Sequence, residues 1–516
     1  MTSSALSAAR RDRELAALAD NPVTDVLVIG GGITGAGVAL DAAARGLSVV
    51  LAERADLASG TSRWSSKLVH GGLRYLAHGD VAVAYESAVE RGRIMARIAP
   101  HLCRPLPMVL PLSPGTSRPD RLQARAGLAA GDLLKALAWT GRGLLPRART
   151  LTARQASGLV PGLRGDVTGG LLSFDGQLTD DARLVIAIAR TAAARGAVIL
   201  TRCEASGLTG DGAVLTDRLT GSSVQVPARV VINAAGVWAG GLVPGVTLRP
   251  SRGTHLVLDS DTLPGLRTGL TVPVPGERAR FVFALPVPGE RRVYVGLTDE
   301  SAAGEPAEVP EPTEAEIGFL LTTISSVLQV PLVRADVTGS FAGLRPLLAG
   351  QAGATADLSR RHTVLNPPGG PVTVVGGKLT TYRRMAQDAV DAAVARPALA
   401  ARDVRACSTM RLPLVGAAPP GQLSAIRAPA RLVARYGTEA PDVLALAAAD
   451  PELARPVAGQ TTGAELAFGL QREGALEVCD LLDRRTRIGL VAADREQALA
   501  AAGALVERSR PAGEWH

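Results

Sequence analysis

Residues 25–39 read DVLVIGGGITGAGVA, and this stretch decides the fold class. The apolar run 26–29 has the length of a strand and leads into a glycine loop and then into Ala-rich sequence with helical spacing. Gly30, Gly32 and Gly35 fit the pattern G-x-G-x-x-G, which allows a tight turn, close approach of a pyrophosphate, and packing of helix on strand. The stretch therefore predicts a βα unit that binds an adenine dinucleotide.

The sequence that follows supports this interpretation. Residues 47–51 form a second predicted strand, and Glu53 comes about twenty residues after the glycines, where a carboxylate accepts hydrogen bonds from a ribose. The alternative is a Gly-rich βαβ turn with a surface glutamate, because glycine turns are common in a chain with 57 Gly. The strand, loop, helix, strand and acid order favours the dinucleotide site.

Length and composition indicate a globular protein of two or three domains. The chain has 516 residues, of which 47% are hydrophobic and only 3% aromatic, so the core must consist mostly of Ala, Val and Leu. The net charge is +8, and the arginines are dispersed without a basic tract. This pattern argues against nucleic-acid binding and suits an anionic substrate, an anionic cofactor or an anionic membrane surface.

The four cysteines, Cys103, Cys203, Cys407 and Cys479, are far apart and form no C-x-x-C motif. This spacing predicts neither a disulfide framework nor a metal site and is typical of a reducing compartment. Residues 1–22 lack the apolar segment of a secretory signal, so we expect a flexible N-terminal extension or a short helix there. No segment qualifies as a transmembrane helix, which indicates a soluble or peripherally bound protein.

A polar run from 56 to 76 contains many hydroxyl and glycine residues. Its alternatives are a solvated loop and the lining of a polar ligand site. The second is favoured by Lys67, since only three of the 56 basic residues are lysines, the others being Lys135 and Lys378. A lysine in such a chain suggests a position that needs a compact ammonium group.

The sequence SKLVHGGLRYL at 66–76 resembles the signature of FAD-dependent glycerol-3-phosphate dehydrogenases of the aerobic type, in the DAO-like oxidoreductase superfamily. Further similar segments follow in the family's order: APHL at 99–102, DDARL at 180–184, NAAGVW at 233–238, AGLRPL at 342–347 and GGKLTTYR at 376–383. The resemblance covers residues 25 to 390, and the likeness is weaker beyond them.

The resemblance implies an α/β fold with three parts. A Rossmann-like FAD-binding domain carries an inserted antiparallel β-sheet substrate domain, and a C-terminal α-helical domain follows at 412–516. The oxidoreductase region spans 23–400, with FAD-binding segments at about 23–80, 165–250 and 340–395 and substrate segments at about 81–164 and 251–339. We interpret 104–164 as an excursion with a packing helix, and the C-terminal domain as a packing and assembly surface.

The resemblance also implies the site. The residues expected to bind FAD are Gly30, Gly32, Gly35, Glu53, Thr61, Ser62, Ser66, Lys67, His70, Gly72, Ala235, Gly236, Gly377, Leu379 and Thr380. The expected catalytic residues are His255, as proton acceptor, and Arg345, and the expected substrate-binding residues are Arg74, Tyr75, Arg360 and Lys378. Arginine and lysine suit a phosphate dianion, and His is the side chain that titrates near neutrality.

The implied reaction is the oxidation of sn-glycerol 3-phosphate to dihydroxyacetone phosphate in glycerol catabolism, by hydride transfer from C2 to flavin N5. We expect a cytoplasmic enzyme, peripheral on the inner face of the cytoplasmic membrane, that passes electrons to a quinone; the resemblance also implies a homodimer. The alternatives are an oxygen-using glycerol-3-phosphate oxidase, another hydroxy- or amino-acid oxidase of the same fold, and a flavin-binding scaffold without activity.

Overall fold

The computed structural model describes residues 3–20, 23–72, 80–114, 118–277, 280–349 and 361–509. The strands are β1 (Thr24–Ile29), β2 (Val49–Ala52), β3 (Leu68–Val69), β4 (Cys103–Leu112), β5 (Arg149–Thr152), β6 (Gly169–Leu178), β7 (Val198–Leu200), β8 (Cys203–Ser206), β9 (Gly212–Asp217), β10 (Ser223–Asn233), β11 (Leu248–Asp259), β12 (Gly269–Pro273), β13 (Phe281–Pro286), β14 (Arg292–Gly296), β15 (Glu300–Ser301), β16 (Val337–Leu348), β17 (Thr363–Leu365), β18 (Val372–Val375), β19 (Pro456–Ala458) and β20 (Thr461–Thr462).

The α-helices are α1 (Ala8–Asp20), α2 (Ile33–Ala44), α3 (Val81–Arg93), α4 (Arg118–Leu137), α5 (Ala153–Leu159), α6 (Asp181–Ala193), α7 (Ala239–Leu242), α8 (Glu314–Ser325), α9 (Tyr382–Val394), α10 (Pro420–Ser424), α11 (Ala430–Tyr436), α12 (Ala440–Ala449), α13 (Gly463–Arg472), α14 (Val478–Asp480) and α15 (Ala492–Ser509). None of the described helices is long and apolar enough to cross a membrane.

A parallel sheet in the order β18-β10-β1-β2-β7 forms the first layer, and β17 adds an antiparallel edge strand. Every residue of β1 is buried, as a strand covered on both faces must be. Helix α2 contacts both α6 and α9 beside this sheet. The predicted strand, glycine loop and helix are all present, and the predicted α/β fold class is confirmed.

Small residues let these helices approach closely. A Cβ added to Gly37 of α2 would lie 3.0 Å from the Tyr382 ring and 3.2 Å from the Ala386 Cβ of α9. Alanines such as Ala42, Ala189 and Ala389 fill the same core cluster. A core with few aromatic residues is therefore packed by short side chains at short helix separations.

A second, largely antiparallel sheet runs in the order β15-β11-β14-β13-β12-β4-β6-β3, with β16 on β11 and β5 on β6. Strands β11 to β14 follow β10 and precede β18, so this sheet is inserted between parts of the cofactor domain. The inserted sheet matches the sequence prediction. One helix in this region, α8, was not predicted, although Thr313 and Glu316 form a capping box at its start.

Strand β4 corrects the interpretation of residues 104–164 as an excursion. The Leu112 carbonyl of β4 accepts a hydrogen bond from the Thr168 N–H on the β6 side. Backbone groups alternate along a strand, so the N–H and C=O groups of the odd-numbered residues of β4 point away from β6. Three prolines occupy odd-numbered positions, namely Pro105, Pro107 and Pro111. Proline lacks an N–H group and is tolerated where the strand has no partner to bond, so these residues obscured a genuine strand.

Of the two alternatives for the N-terminal segment, residues 8–20 form a helix, α1. Leu18 is buried against the parallel sheet, and Arg11 donates to the Thr201 carbonyl and pairs with Asp217. Leu6 donates its N–H to the carbonyl of Arg472 in the C-terminal region. The start of the described chain is therefore fixed to both the cofactor domain and the C-terminal helices.

The C-terminal region is helical, as predicted, and its contact with the cofactor domain is built from buried ion pairs. Asp56, in the loop after β2, accepts hydrogen bonds from Arg485 at 2.6 and 2.9 Å. Arg183 of α6 pairs with Glu473. Buried charges are stable only when paired, so these contacts fix the position of the helical domain.

Candidate active site

A cleft of about 2440 Å³ is lined by residues from both sheets and from the C-terminal helices. Its volume exceeds the range of ordinary small-molecule pockets, which is about 300–1,000 Å³. Two groups of lining residues carry the chemistry. The first, the glycine-loop group, consists of Gly30, Gly32 and Glu53. The second, the His255 group, consists of His255, Arg345 and Lys378.

The glycine loop needs its glycines for two different reasons. Gly30 has φ +107°, and a Cβ there would lie 2.7 Å from the Ala234 carbonyl oxygen. A Cβ on Gly35 would lie 1.8 Å from the Gly30 carbonyl oxygen, so Gly35 serves contact between helix and loop. Helix α2 begins without a side-chain cap from Gly32, which leaves its N-terminus to attract an anion.

Glu53 is held in place by two backbone groups. Its Oε2 accepts from the Gly31 N–H at 2.6 Å and its Oε1 accepts from the Ala55 N–H at 2.8 Å. Burial raises the pKa of Glu53 above its usual value, although both hydrogen bonds and Arg54 oppose that shift. The carboxyl group is therefore oriented before any ligand arrives.

The hydroxyl groups of Thr61 and Ser62 form hydrogen bonds to neighbouring elements of the cofactor site. Ser62 accepts the Ile33 N–H at 2.8 Å, at the first turn of α2. Thr61 donates to the Leu344 carbonyl at 2.6 Å, which connects this loop to β16. Ala235 and Gly236 follow β10 and line the cleft, with the Ala235 N–H bound to the Asn233 side chain at 3.2 Å.

His255 lies on β11 and is 2% exposed. Its Nε2 is 2.8 Å from the Ser66 hydroxyl, and its ring stacks on Phe341 at a centroid distance of 4.8 Å. Burial holds the pKa of His255 well below its usual value, and Lys67 and Arg345 lower it further. The imidazole is therefore neutral at physiological pH and can accept a proton.

Arg345 lies on β16, opposite Ser251 of β11. Its Nη1 donates to Ser251 Oγ at 3.1 Å and pairs with Asp299 at 3.2 Å, and its Nη2 donates to the Thr298 carbonyl at 3.2 Å. A Cβ on Gly253 would lie 2.2 Å from Nη2, so the guanidinium occupies the space that a side chain there would need. These contacts fix the guanidinium plane at the wall of the cleft.

Lys378 follows the second glycine turn, and its Nζ donates to Ser87 of α3 at 3.0 Å. A Cβ on Gly377 would lie 2.4 Å from the Met385 sulfur, so a larger residue at this position would collide with Met385. Thr380 accepts the His70 N–H at 3.1 Å, so residues 66–72 are joined to this turn. Leu379 also lines the cleft.

Comparison with known proteins now identifies the family. The FAD dependent oxidoreductase family matches residues 25–382, and the C-terminal domain of alpha-glycerophosphate oxidase matches residues 407–515. Glycerol-3-phosphate dehydrogenase 1 of Mycobacterium tuberculosis is 52% identical over 516 residues, covering 98% of this chain and 99% of the relative. The chain belongs to the FAD-dependent glycerol-3-phosphate dehydrogenase family. The predicted resemblance is confirmed.

Other members and solved structures agree. Glycerol-3-phosphate dehydrogenase 2 of Mycobacterium tuberculosis is 39% identical, covering 90% of this chain and 81% of that protein. The dehydrogenase of Bacillus halodurans, solved with FAD, superposes with a TM-score of 0.74 at 29% identity, covering 97% of this chain and 94% of that one. L-alpha-glycerophosphate oxidase of Mycoplasma pneumoniae shares the fold at TM-score 0.55, with 18% identity and coverage of 72% and 95%.

The cofactor of the family is FAD, as predicted, and the residues of this family member fit it. Gly30 and Gly35 leave no space for side chains, and the positive dipole end of α2, where Gly32 has no side chain to occupy the space, suits a pyrophosphate. Glu53 would hold the ribose by accepting hydrogen bonds from its hydroxyls. A second glycine turn at Gly376 and Gly377, both with positive φ, precedes α9 and lines the same cleft.

Most of the predicted site residues of this dehydrogenase-family chain lie together. Those that line the cleft are Gly30, Gly32, Glu53, Thr61, Ser62, Ser66, His70, Gly72, Ala235, Gly236, His255, Arg345, Gly377, Lys378, Leu379 and Thr380. Gly35 and Lys67 are not among the lining residues. Arg74, Tyr75 and Arg360 lie outside the described residues.

Lys67 has a different setting from the one predicted. Its ammonium is buried, 3.2 Å from Asp181, and donates to the carbonyls of Arg63 and Ser65. It also lies 4.2 Å from the centre of the Phe341 ring, on which His255 stacks. Burial lowers the pKa of Lys67 to about 8, against the opposing effect of Asp181. Lys67 supports the site from behind and does not face the cleft.

Sequence reasoning missed the contribution of the C-terminal domain. Glu477, Cys479 and Arg484 line the cleft, so this domain is more than the packing and assembly surface expected. Its charged run at 480–487 resembles an ordinary solvated helix in the sequence. The pairing of Arg484 and Arg485 with Asp56 distinguishes it, and this pairing joins residues far apart in the chain.

Proposed function

We propose that this protein oxidises sn-glycerol 3-phosphate to dihydroxyacetone phosphate. The observation that carries the proposal is the placement of His255 and Arg345 on neighbouring strands of one sheet, both at the wall of the cleft. A proton acceptor and a fixed guanidinium suit a phosphorylated secondary alcohol. Relatives named glycerol-3-phosphate dehydrogenase, at 52% and 39% identity, support the same substrate.

Arg345 and Lys378 provide the charge for the substrate phosphate. Arg345 presents a planar guanidinium held by Asp299 and Thr298, while Lys378 provides a compact ammonium beside Ser87. A planar fork and a point charge are complementary ways to bind a phosphate. By the resemblance we add Arg74, Tyr75 and Arg360 to the substrate-binding set.

His255 accepts the hydroxyl proton of the substrate. Its low pKa keeps the ring neutral, and Ser66 holds Nε2 at the cleft wall. Bound FAD supplies the acceptor for the hydride that leaves C2. Arg345 lies on the neighbouring strand, so its positive charge favours loss of the proton from the alcohol.

We further propose that the electrons pass to a quinone at a membrane surface, as in glycerol catabolism at the inner face of the cytoplasmic membrane. Helix α4 supports this proposal. It packs on α3 through Leu134, as expected of a packing helix, and it also exposes other apolar residues. Trp139, just after α4, is 93% exposed, and Leu122, Leu133 and Leu137 are exposed on the helix. The exposed arginines near them in the sequence are Arg125, Arg142, Arg147 and Arg149.

Helix α4 also lines the cleft, which supports a quinone as the electron acceptor. Ala124, Leu128 and Ala130 of the helix line the cleft, together with apolar residues such as Leu110 and Phe283. One helix therefore contributes both to the cleft and to an exposed apolar and basic surface. Basic and aromatic residues on an amphipathic helix favour anionic lipid surfaces, and an apolar wall suits a lipid-soluble acceptor.

The test is anaerobic addition of glycerol 3-phosphate to the purified yellow holoprotein. We expect loss of the flavin absorbance near its visible maximum, followed by its return when a soluble quinone is added. A carboxylate substrate that bleaches the flavin where glycerol 3-phosphate does not would overturn the substrate assignment. Reoxidation by oxygen with stoichiometric peroxide, and no response to quinone, would identify an oxidase instead.

A further inference from the structure

The C-terminal domain reaches the cleft beside Glu53. Glu477, Cys479 and Arg484 all line it, together with Arg202 at the end of the short turn after β7. Within the same region, the Glu53 carbonyl accepts the Cys203 N–H at 2.8 Å and the Ala55 carbonyl accepts the Arg202 N–H at 2.8 Å. The glycine-loop group and the C-terminal segment are therefore neighbours.

Asp56 connects that segment to the loop that carries Glu53. Its carboxylate accepts from Arg484 Nε at 2.5 Å and from Arg485 Nη1 at 2.6 Å. All three side chains are buried, and the two guanidinium groups hold the pKa of Asp56 far below its usual range although burial opposes this. The loop cannot move outward without exposing a network of charges.

Arg202 makes a second connection on the other side. Its guanidinium lies 2.9 Å from Glu477 and 2.7 Å from Asp480, and Asp480 also pairs with Arg484. Glu477, Cys479 and Asp480 could hold a metal by their spacing, but guanidinium groups already neutralise the two carboxylates. The cluster is therefore a charge network that fixes Arg484 at the cleft wall.

We propose that residues 477–485 form the outer wall of the part of the site that receives the adenosine half of FAD, and that the C-terminal domain thereby controls cofactor retention. The proposal rests on the placement of the FAD ribose at Glu53. Arg484 commits Nε and Nη2 to protein partners, and no hydrogen bond from its Nη1 occurs among the described residues. This nitrogen offers a hydrogen-bond donor to the nitrogen and oxygen acceptors of the adenosine half.

The test compares FAD release from two full-length holoprotein variants. In Arg484→Met, each carboxylate that loses Arg484 keeps another arginine partner, because Asp56 still pairs with Arg485 and Asp480 still pairs with Arg202. Arg431→Met is the matched control, since Arg431 pairs with Glu465, which also retains Arg435, and does not line the cleft. Release on dilution is followed by the rise in flavin fluorescence.

We expect FAD to leave Arg484→Met at least tenfold faster than the parent protein, with Arg431→Met within twofold of the parent. A rate for Arg484→Met equal to that of the control overturns the proposal. Neither measurement involves glycerol 3-phosphate, so it can fail while the substrate assignment stands. Conversely, an absence of bleaching by that substrate leaves the retention result intact.

A second measurement needs no substitution. Cys479 lines the cleft and Cys407 does not, while both are half-buried. Labelling with N-ethylmaleimide is followed by peptide mass spectrometry, with Cys407 as the internal reference. We expect the FAD-loaded protein to label Cys479 at least threefold more slowly than the flavin-depleted protein. Equal labelling ratios in the two states contradict a wall at this position.

Discussion

The Ser66 hydroxyl lies 2.8 Å from Nε2 of His255, and both residues line the cleft. The other ring nitrogen, Nδ1, is buried without a hydrogen-bond partner among the described residues. The ring is therefore oriented by Ser66 and by stacking on Phe341, and no carboxylate contacts it through a hydrogen bond in the described chain. A neutral imidazole held by packing is a base whose strength depends on the surrounding cations.

Replacing this base should slow flavin reduction. We expect His255→Ala to lower the rate constant for anaerobic reduction by about 10²- to 10⁴-fold, the usual contribution of a general base. Stopped-flow absorbance at saturating glycerol 3-phosphate measures that constant directly. Ser66→Ala is the comparison, with a smaller loss because the imidazole remains. Nearly full speed in His255→Ala would show that another group takes the proton.

The low pKa of His255 predicts the shape of the pH profile. A base must be unprotonated to act, and a pKa below 6.5 keeps His255 neutral as the pH falls through 6.5. We therefore expect the reduction rate constant at saturating substrate to stay level through that pH. Saturation is needed because a phosphate monoester itself titrates near pH 6 and changes binding. A half-maximal loss near 6.5 would contradict the assigned environment.

The planar fork of Arg345 should matter more than its charge. Arg345→Lys keeps a cation but loses two parallel donors, so we expect KM for glycerol 3-phosphate to rise about 10- to 100-fold, as for a charged hydrogen bond. Arg252→Lys is the matched control, because the adjacent Arg252 pairs with Glu316 and does not line the cleft. Steady-state kinetics on both variants decide the matter. Similar KM values in the two would exclude Arg345 as a phosphate ligand.

The contact between Gly35 and Gly30 predicts loss of cofactor. A methyl group at residue 35 would lie 1.8 Å from a backbone oxygen, so we expect Gly35→Ala to be purified largely without flavin. Gly318→Ala, in α8, is the control because a Cβ there meets nothing within 4 Å. This control should gain about 0.5–1 kcal/mol in stability. The ratio of flavin to protein absorbance gives the result, and full occupancy in Gly35→Ala would be the contrary finding.

The exposed apolar residues on α4 and Trp139 just after it predict membrane binding. We expect Trp139→Asp to reduce sedimentation with anionic phospholipid vesicles, because the substitution removes an exposed aromatic and adds a negative charge. Val330→Asp, exposed elsewhere on the protein, provides the control. Soluble-quinone activity should be unchanged in both. Equal vesicle binding by the two variants would place the membrane contact on another surface.

Local patterns predicted the cofactor domain well. The sequence indicated β18 and α9 at the residues where they occur, because an apolar run, a glycine pair and an amphipathic segment follow one another directly. Strand β4 was missed for the opposite reason. Its prolines contradict a strand locally, and only the pairing with β6 shows which of its edges needs N–H groups.

Some residues of the candidate site were likewise recognisable from the local sequence and others were not. Gly30 and Gly35 are recognisable because backbone geometry demands glycine within a few residues, whereas His255 needed the family resemblance to stand out. Lys67 was assigned to the cleft since a rare lysine suggests a functional contact. Its partner, Asp181, is more than a hundred residues away, so the sequence does not reveal that the ammonium is turned inward. Arg484 was missed because its partner Asp56 lies 428 positions earlier in the chain.

The pairing of Asp56 with Arg485 also sets an order of events during synthesis. The two residues are 429 positions apart, and ribosomes add about 5–20 residues per second. Asp56 therefore emerges roughly 20 to 90 s before its guanidinium partner exists. Until then, the loop that carries Glu53 has no C-terminal segment against it, and the wall proposed at residues 477–485 makes firm retention of the flavin one of the last steps in making the protein.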